Sequence, residues 1–194
     1  MSPVVLASAS PRRHDLLTNS GIQFTVRVPD IDETPLAGEA PAAYVTRLAS
    51  AKATAVAAAS DELVIAADTT VDIDSQILGK PVDRREAEEM LRQLSGRTHR
   101  VHTGVSVSRN GVELVEACAT LVTFVVLDDA MIRWYLATGE PMGKAGAYAL
   151  QGAGAVLVSG VEGSVSNVIG LPMHVVVHLA TRIGVDLLGA AGPN

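Results

Sequence analysis

Thr98 to Ser108 and Val112 to Leu127 are two long runs of strand-forming residues, and Asn110-Gly111 lies between them. Asn-Gly suits the two-residue hairpin turn, whose central residues both take positive φ. The first run alternates apolar and polar positions, as a half-buried strand does. Long antiparallel strands therefore occupy the middle of the chain, and the remaining elements must cover them.

Those elements alternate in type. Val4 to Ala7 reads as a short apolar strand, followed by a helix from about Arg12 to Thr18. Ser10 stands at its cap position, Pro11 at its first turn and Gly21 beyond its end. Phe24 to Val28 reads as a second strand, and Pro29 to Gly38 as an acidic loop. Pro41 opens an Ala-rich helix to about Ala59. Leu63 to Ala67 reads as a buried strand, then Val71, Ile73 and Ile77 as a short hairpin around Asp74-Ser75. Helices are expected over Asp83 to Leu94, Asp128 to Ala137 and Leu171 to Ile183, with a strand over Ala155 to Val161. The pattern predicts an α/β fold, a mixed twisted sheet with flanking helices in one domain. Residues 1–186 form that domain, and a loose tail runs from Leu187 to Asn194.

Composition narrows the function classes. The chain has 194 residues and a net charge of −6, so it lacks the basic field expected of a nucleic-acid binder. A small polyanion is a different matter, because a few local cations suffice for it. Cys118 is the only cysteine, which excludes an internal disulfide. It lies in the apolar run Val115 to Val126 and reads as a packed thiol. No apolar run is long enough for a membrane span, and the first residues are too short a run for a signal peptide. The expected compartment is the cytoplasm.

Several residues are poor choices for stability alone. Ser8-Ala9-Ser10-Pro11-Arg12-Arg13 brings hydroxyls and two arginines to the start of a helix. Arginines there oppose the helix dipole, whereas the N–H groups of a helix start favour an anion. A solvated helix start is the plain alternative. Lys52 falls on the apolar stripe of Tyr44, Val45, Leu48 and Val56, so it either snorkels or points into a polar site. Asp68 follows the apolar run Leu63 to Ala67. A carboxylate at that end of a strand can hold a metal or activate water, or it can cap a turn. Asp30 to Glu33 could supply a second carboxylate, and Lys80 sits in the turn Gly79-Lys80-Pro81. Gly143 to Gly152 is glycine-dense, either for a close approach to a ligand or for tight packing. His174 and His178 share a helix face, but no third ligand completes a metal site. His99 and His102 point to opposite faces of their strand.

Taken in order, these segments resemble the Maf family of nucleotide pyrophosphatases. The resemblance rests on Leu6 to Arg13, Ala67-Asp68-Thr69, Gly79-Lys80-Pro81 and Ser95 to His99. It continues with Thr103-Gly104-Val105, Gly143 to Gly152 and Asn167 to Pro172. Each is weak alone, and the ordered set spans nearly the whole chain. The resemblance implies an inosine-triphosphatase-like fold with a central cleft. It also implies hydrolysis of a nucleoside triphosphate to the monophosphate and pyrophosphate, with a divalent cation, Mg²⁺ or Mn²⁺. Asp68 matches the family's general base. Arg12, Thr69 and Gln151 match positions tied to base choice in the subgroup acting on dTTP and UTP. Ser8, Arg12, Arg13, Lys52 and Lys80 could cradle the phosphates, while Glu33 and Asp68 could hold the metal. The alternatives are a 7-methyl-GTP pyrophosphatase and a nucleotide-binding regulator of septum formation. The expected partner is a small nucleotide, not nucleic acid or a membrane, and a homodimer is compatible with the family.

Overall fold

The computed structural model describes residues 3–189. A seven-stranded mixed sheet forms the centre. Its strands are β1 (Val4–Ala7), β2 (Thr25–Val26), β3 (Leu63–Ile73), β4 (Gln76–Leu78), β5 (Thr98–Arg109), β6 (Val112–Phe124) and β7 (Val158–Glu162). Their order is β2-β1-β3-β5-β6-β7, with β4 paired to β3 beyond the end of β1. β1 runs parallel to β2 and β3, and every other pairing is antiparallel. The expected α/β architecture is thus the observed one. Among the described residues, six α-helices cover the sheet: α1 (Pro11–Asn19), α2 (Pro41–Ala55), α3 (Arg84–Leu94), α4 (Asp129–Ala137), α5 (Val165–Ile169) and α6 (Met173–Arg182).

β3 carries the organising feature. β1 leaves it at Ala66, and β4 joins it only at Val71. Ala67 to Thr70 therefore have a free edge on that side, while β5 pairs the other side throughout. Side chains alternate across a strand, so Asp68 and Thr69 face opposite sides of the sheet. On the Thr69 face, one apolar cluster holds Ile65 and Ala67 with Leu17 and Leu179, and another holds Val71 and Ile73 with Leu91 and Ile132. Thr69 stands at the seam between them. On the Asp68 face, Ala66 packs with Ala53 and Val56, and a separate cluster gathers Tyr44, Val45 and Leu48.

Several boundaries differ from expectation for identifiable reasons. Asp68 is not a residue following a strand but lies inside one. The run after it belongs to β3, and the Asp74-Ser75 turn then leads to β4, with φ of 53° and 64° at its two residues. Of Phe24 to Val28, only Thr25–Val26 pairs, because β1 offers so short an edge. α2 ends at Ala55 rather than Ala59. β6 stops at Phe124 because β5 begins at Thr98, opposite Thr123. Ala153–Leu157 forms a 3-10 turn where a strand was expected, and the strand begins at Val158. α5 is an additional helix, capped by Ser164, whose side chain accepts from the Asn167 N–H. Ser10 occupies the cap position of α1 without a side-chain bond. Leu187 is buried among α6 residues, so packing runs past residue 186. Residues 190–194 of the expected tail lie outside the described residues.

One contact sets how closely α2 lies on the sheet. A Cβ on Gly104 would stand 2.3 Å from the Val45 carbonyl oxygen. Backbone cannot yield there as a side-chain end could. Gly104→Ala should destabilise the protein by at least ~1–3 kcal/mol through overpacking. Thermal melting should show it as a Tm lower by roughly 2–4 °C per kcal/mol. Because α2 carries Lys52, activity should fall with it, and a Tm equal to that of the parent would exclude the close approach.

Candidate active site

The free edge of β3 opens into a cavity of about 490 Å³. β1 delivers Ser8 to its rim, and the first turn of α1 supplies Arg12 and Arg13. The acidic loop supplies Glu33, α2 supplies Lys52, and the turn after β4 supplies Lys80. Lys144 and Gln151 enter from the glycine-dense stretch. All of these line the same cavity with Asp68 and Thr69, so every site residue expected from sequence is brought there. Arg12, Arg13, Lys52, Lys80 and Lys144 face it against Glu33 and Asp68, a cationic excess inside a chain of net charge −6.

Lys52 points into this site and does not snorkel. It is 6% exposed, and its ammonium lies 2.6 Å from Asp68 Oδ1 and 2.6 Å from Glu33 Oε1. Lys80 Nζ reaches the other oxygen of Glu33 at 3.0 Å. Burial raises the Glu33 carboxyl pKa, but hydrogen bonds from Lys52 and Lys80 outweigh it and hold it down at about 2. Asp30 and Asp32 stay exposed, and Asp32 accepts from the Thr34 N–H in its own loop.

Arg13 is buried and hydrogen-bonded through each of its three nitrogens, with two of its five N–H donors left over. Its Nε donates to the Gly170 carbonyl at 2.7 Å, Nη1 to Ser8 Oγ at 3.1 Å and Nη2 to Thr69 Oγ1 at 3.1 Å. Thr103 Oγ1 donates to the Asn167 carbonyl, so Thr69 Oγ1, 2.9 Å away, is the donor to Thr103. The polar seam on this face is therefore a directed chain from Arg13 through Thr69 and Thr103 to α5. Arg13 braces the site as well as charging it, and does not sit where stability gains little. Arg12 is less buried; burial lowers its pKa, and Glu140 partly offsets that.

Gly143 to Gly152 serves packing and lining together. A Cβ on Gly146 would lie 2.7 Å from Val71 Cγ2, so that glycine admits tight packing. Lys144, Tyr148 and Gln151 line the cavity. Tyr148 meets His99, whose Nε2 lies 2.9 Å from its hydroxyl, and burial pushes the His99 pKa down to about 4. Lys144, Tyr148 and Glu140 were not singled out by sequence. Lys144 and Tyr148 lie inside the glycine-dense segment Gly143 to Gly152, whereas Glu140 carries no local signal. Cys118 is partly buried, and burial raises its thiol pKa, as expected of a packed residue. His174 and His178 are both exposed.

The donor set suits a magnesium-type ion only in part. Such ions take one or two carboxylates and complete their shell with water and substrate phosphate. Glu33 and Asp68 converge on one point, now spanned by the Lys52 ammonium. No group of three or more His, Cys, Asp or Glu able to hold a metal occurs among the described residues. Likewise, no helix among them is long and apolar enough to cross a membrane.

The cleft gathers five cationic side chains around two carboxylates, and the sequence places the chain in a family. The Maf-like protein model matches residues 3–183, and the chain belongs to that family. It is 54% identical over 185 residues to a dTTP/UTP pyrophosphatase of Myxococcus xanthus, covering 95% of this chain and 94% of the relative. It is 47% identical over 194 residues to a dTTP/UTP pyrophosphatase of Symbiobacterium thermophilum, covering 99% and 100%. A HAM1 protein structure from Coxiella burnetii shows a loose likeness, with a TM-score of 0.45, 20% identity, and 64% and 73% of the two chains covered.

Two outcomes follow from the site geometry. Arg13→Ala should lower both Tm and kcat, because the buried Gly170 carbonyl and Ser8 Oγ lose a donor at about 1–3 kcal/mol each, and the half-buried Thr69 Oγ1 loses one too. Arg13→Lys should fold better yet recover little activity, since an ammonium cannot reproduce the fork; melting curves beside turnover would expose a purely electrostatic role if Lys restored rate. The second outcome concerns pH. The Glu33 carboxyl sits below its ordinary value of 4.5, so its ion pairs add stability above that pH and lose it as pH falls through about 2. Lys80→Met should raise the Glu33 pKa, and a carboxyl-carbon titration that did not move would contradict the pairing.

Proposed function

We propose that this chain hydrolyses dTTP and UTP to the monophosphate and pyrophosphate. The observation that carries this reading is the cluster of five cationic side chains around Asp68 in one cavity of about 490 Å³. A triphosphate carries about four negative charges, and phosphoryl-type reactions are catalysed mainly by positioning and charge stabilisation. The relatives' substrates support the pyrimidine choice.

Each residue has a distinct role in this reading. Lys52, Lys80, Arg12 and Arg13 hold the phosphate chain, and Ser8 adds a hydroxyl at its rim. Asp68 gives one oxygen to Lys52. Its other oxygen accepts a proton from water in this reading. The water oxygen then bonds the α-phosphorus, the bond from that phosphorus to the oxygen bridging the β-phosphate breaks, and pyrophosphate leaves. Glu33 and Asp68 would hold a divalent cation together with phosphate oxygens, and the cation would supply charge neutralisation. Lys52 aligns the two carboxylates by bonding an oxygen of each. Gln151 faces the base, because its amide can both donate and accept, as pyrimidine edges require.

Asp68→Asn tests this directly. It should lower turnover by ~10²–10⁴ if general-base action is lost. The Tm should fall, since a buried ion pair is broken, but the protein should still fold because Lys52 keeps Glu33 as a partner, and nucleotide binding should persist because the cationic ring remains. Product analysis on UTP with Mg²⁺ or Mn²⁺ should give UMP and pyrophosphate. UDP and orthophosphate as products would overturn the reaction assignment, and an active Asp68→Asn enzyme would overturn the residue assignment.

A further inference from the structure

Beside the ring of charges around Asp68 lies a second arrangement, half-buried at its carboxylate and buried at its phenol. Glu140 follows α4, and Tyr135 lies within it, fully buried. Glu140 Oε1 accepts from the Tyr135 hydroxyl at 2.8 Å and from the Gly154 N–H at 2.9 Å. Its Oε2 accepts from the Ala153 N–H at 2.8 Å. The Tyr135 hydroxyl in turn accepts from the Ala149 N–H at 3.1 Å. Two side chains thus seize three backbone donors of one short loop, at both of its ends.

Between those ends the loop carries Leu150 and Gln151, which line the cavity. Ala149, Gly152, Ala153 and Gly154 have no polar side chains, so the loop has few means of bracing itself. It is held from outside. The fit is close: a Cβ on Gly152 would stand 2.0 Å from Glu140 Oε2, and one on Gly154 would stand 2.4 Å from the Ala149 carbonyl oxygen. A carboxylate is the group this contact needs, because it only accepts. An amide in its place would turn an NH₂ toward a backbone N–H. Burial pushes the Glu140 carboxyl pKa up, but the Gly154, Tyr135 and Ala153 hydrogen bonds hold it below its ordinary value, so it stays charged.

We propose that Glu140 and Tyr135 are a positioning pair that sets the height and orientation of Gln151, and with it the ranking of nucleobases, without touching the nucleotide. This rests on the reading of Gln151 as the residue facing the base. The same clamp explains why Ala153–Leu157 winds into a 3-10 turn: its first N–H groups are already taken by a carboxylate.

Steady-state kinetics on UTP, dTTP and CTP, with ribose 5-triphosphate as a control lacking a base, would test the proposal. Glu140→Gln should raise KM for the preferred nucleotides about five- to tenfold, the worth of one such bond, and compress their ranking. Its kcat and its kinetics on the control should stay near those of the parent. Tyr135→Phe, which keeps the ring and loses only the hydroxyl, should shift the ranking in the same sense. Gly152→Ala attacks the same contact from the loop side, so it should reproduce Glu140→Gln, and the double variant should be no worse than either. Gln151→Ala separates the two readings. If it re-ranks the nucleotides while Glu140→Gln and Tyr135→Phe do not, the positioning pair is wrong and the base-facing residue stands. If Gln151→Ala leaves the ranking unchanged, both fall. An equal loss on all nucleotides and on the control, with a lower Tm, would show Glu140 to be structural only, and would also overturn the proposal.

Discussion

A buried ammonium between two carboxylates is the constraint on which the site depends. Lys52 leaves the apolar stripe of α2 and is met by Asp68 from the sheet and Glu33 from the loop. Burying one charge without partners costs several kcal/mol, and breaking such a pair costs about 3–5 kcal/mol. The helix, the strand and the loop must therefore arrive together. Gly104 makes this possible, since any Cβ there would lift α2 from β5. Close packing and charge pairing are thus one arrangement seen from two sides of the same strand pair.

The opposite face of β3 solves a related problem. Two apolar clusters meet at Thr69, and the seam is filled by polar groups rather than by more hydrocarbon. Arg13, Thr69, Thr103 and Asn167 hydrogen-bond in sequence across it, while the buried Asn167 Oδ1 is left without a partner among the described residues. The result joins α1, β3, β5 and α5 at the edge of the cavity. A site built on strands and helix starts in this way is more precise than one carried by loops alone. Among the loop-borne parts, Glu33 is fixed by Lys52 and Lys80, and the wall holding Gln151 is braced by Glu140 and Tyr135.

Much of this could be read along the chain. The long hairpin, the strand at Val4–Ala7 and most helices follow from periodicity and turn residues, and the observed β5 and β6 pair across Asn110-Gly111. Arg12, Arg13 and Lys52 were visible because they sit where local stability does not call for them. Other features were not visible. Asp68 looked like the residue after a strand, because polar Asp68-Thr69-Thr70 interrupts the apolar run. Inside the sheet, β5 pairs through that interruption and makes it continuous. Ala155 to Leu157, the later part of the 3-10 turn, carries apolar residues that suit a strand, while the carboxylate holding the start of the turn lies at Glu140, far from any pattern in the turn itself.

The sequence by itself determined which elements form and which residues carry charge, because periodicity, turn chemistry and composition are local properties. It also determined the family, since ordered motifs span the chain. Tertiary structure alone decided which charges meet. Arg13 is joined to Gly170 across 157 residues, and Lys52 to Asp68 across 16. Such pairings depend on where β1 stops along β3 and how near α2 can approach Gly104. Those are questions of register and close packing, and they have no local signature because the partners become neighbours only when the sheet has formed.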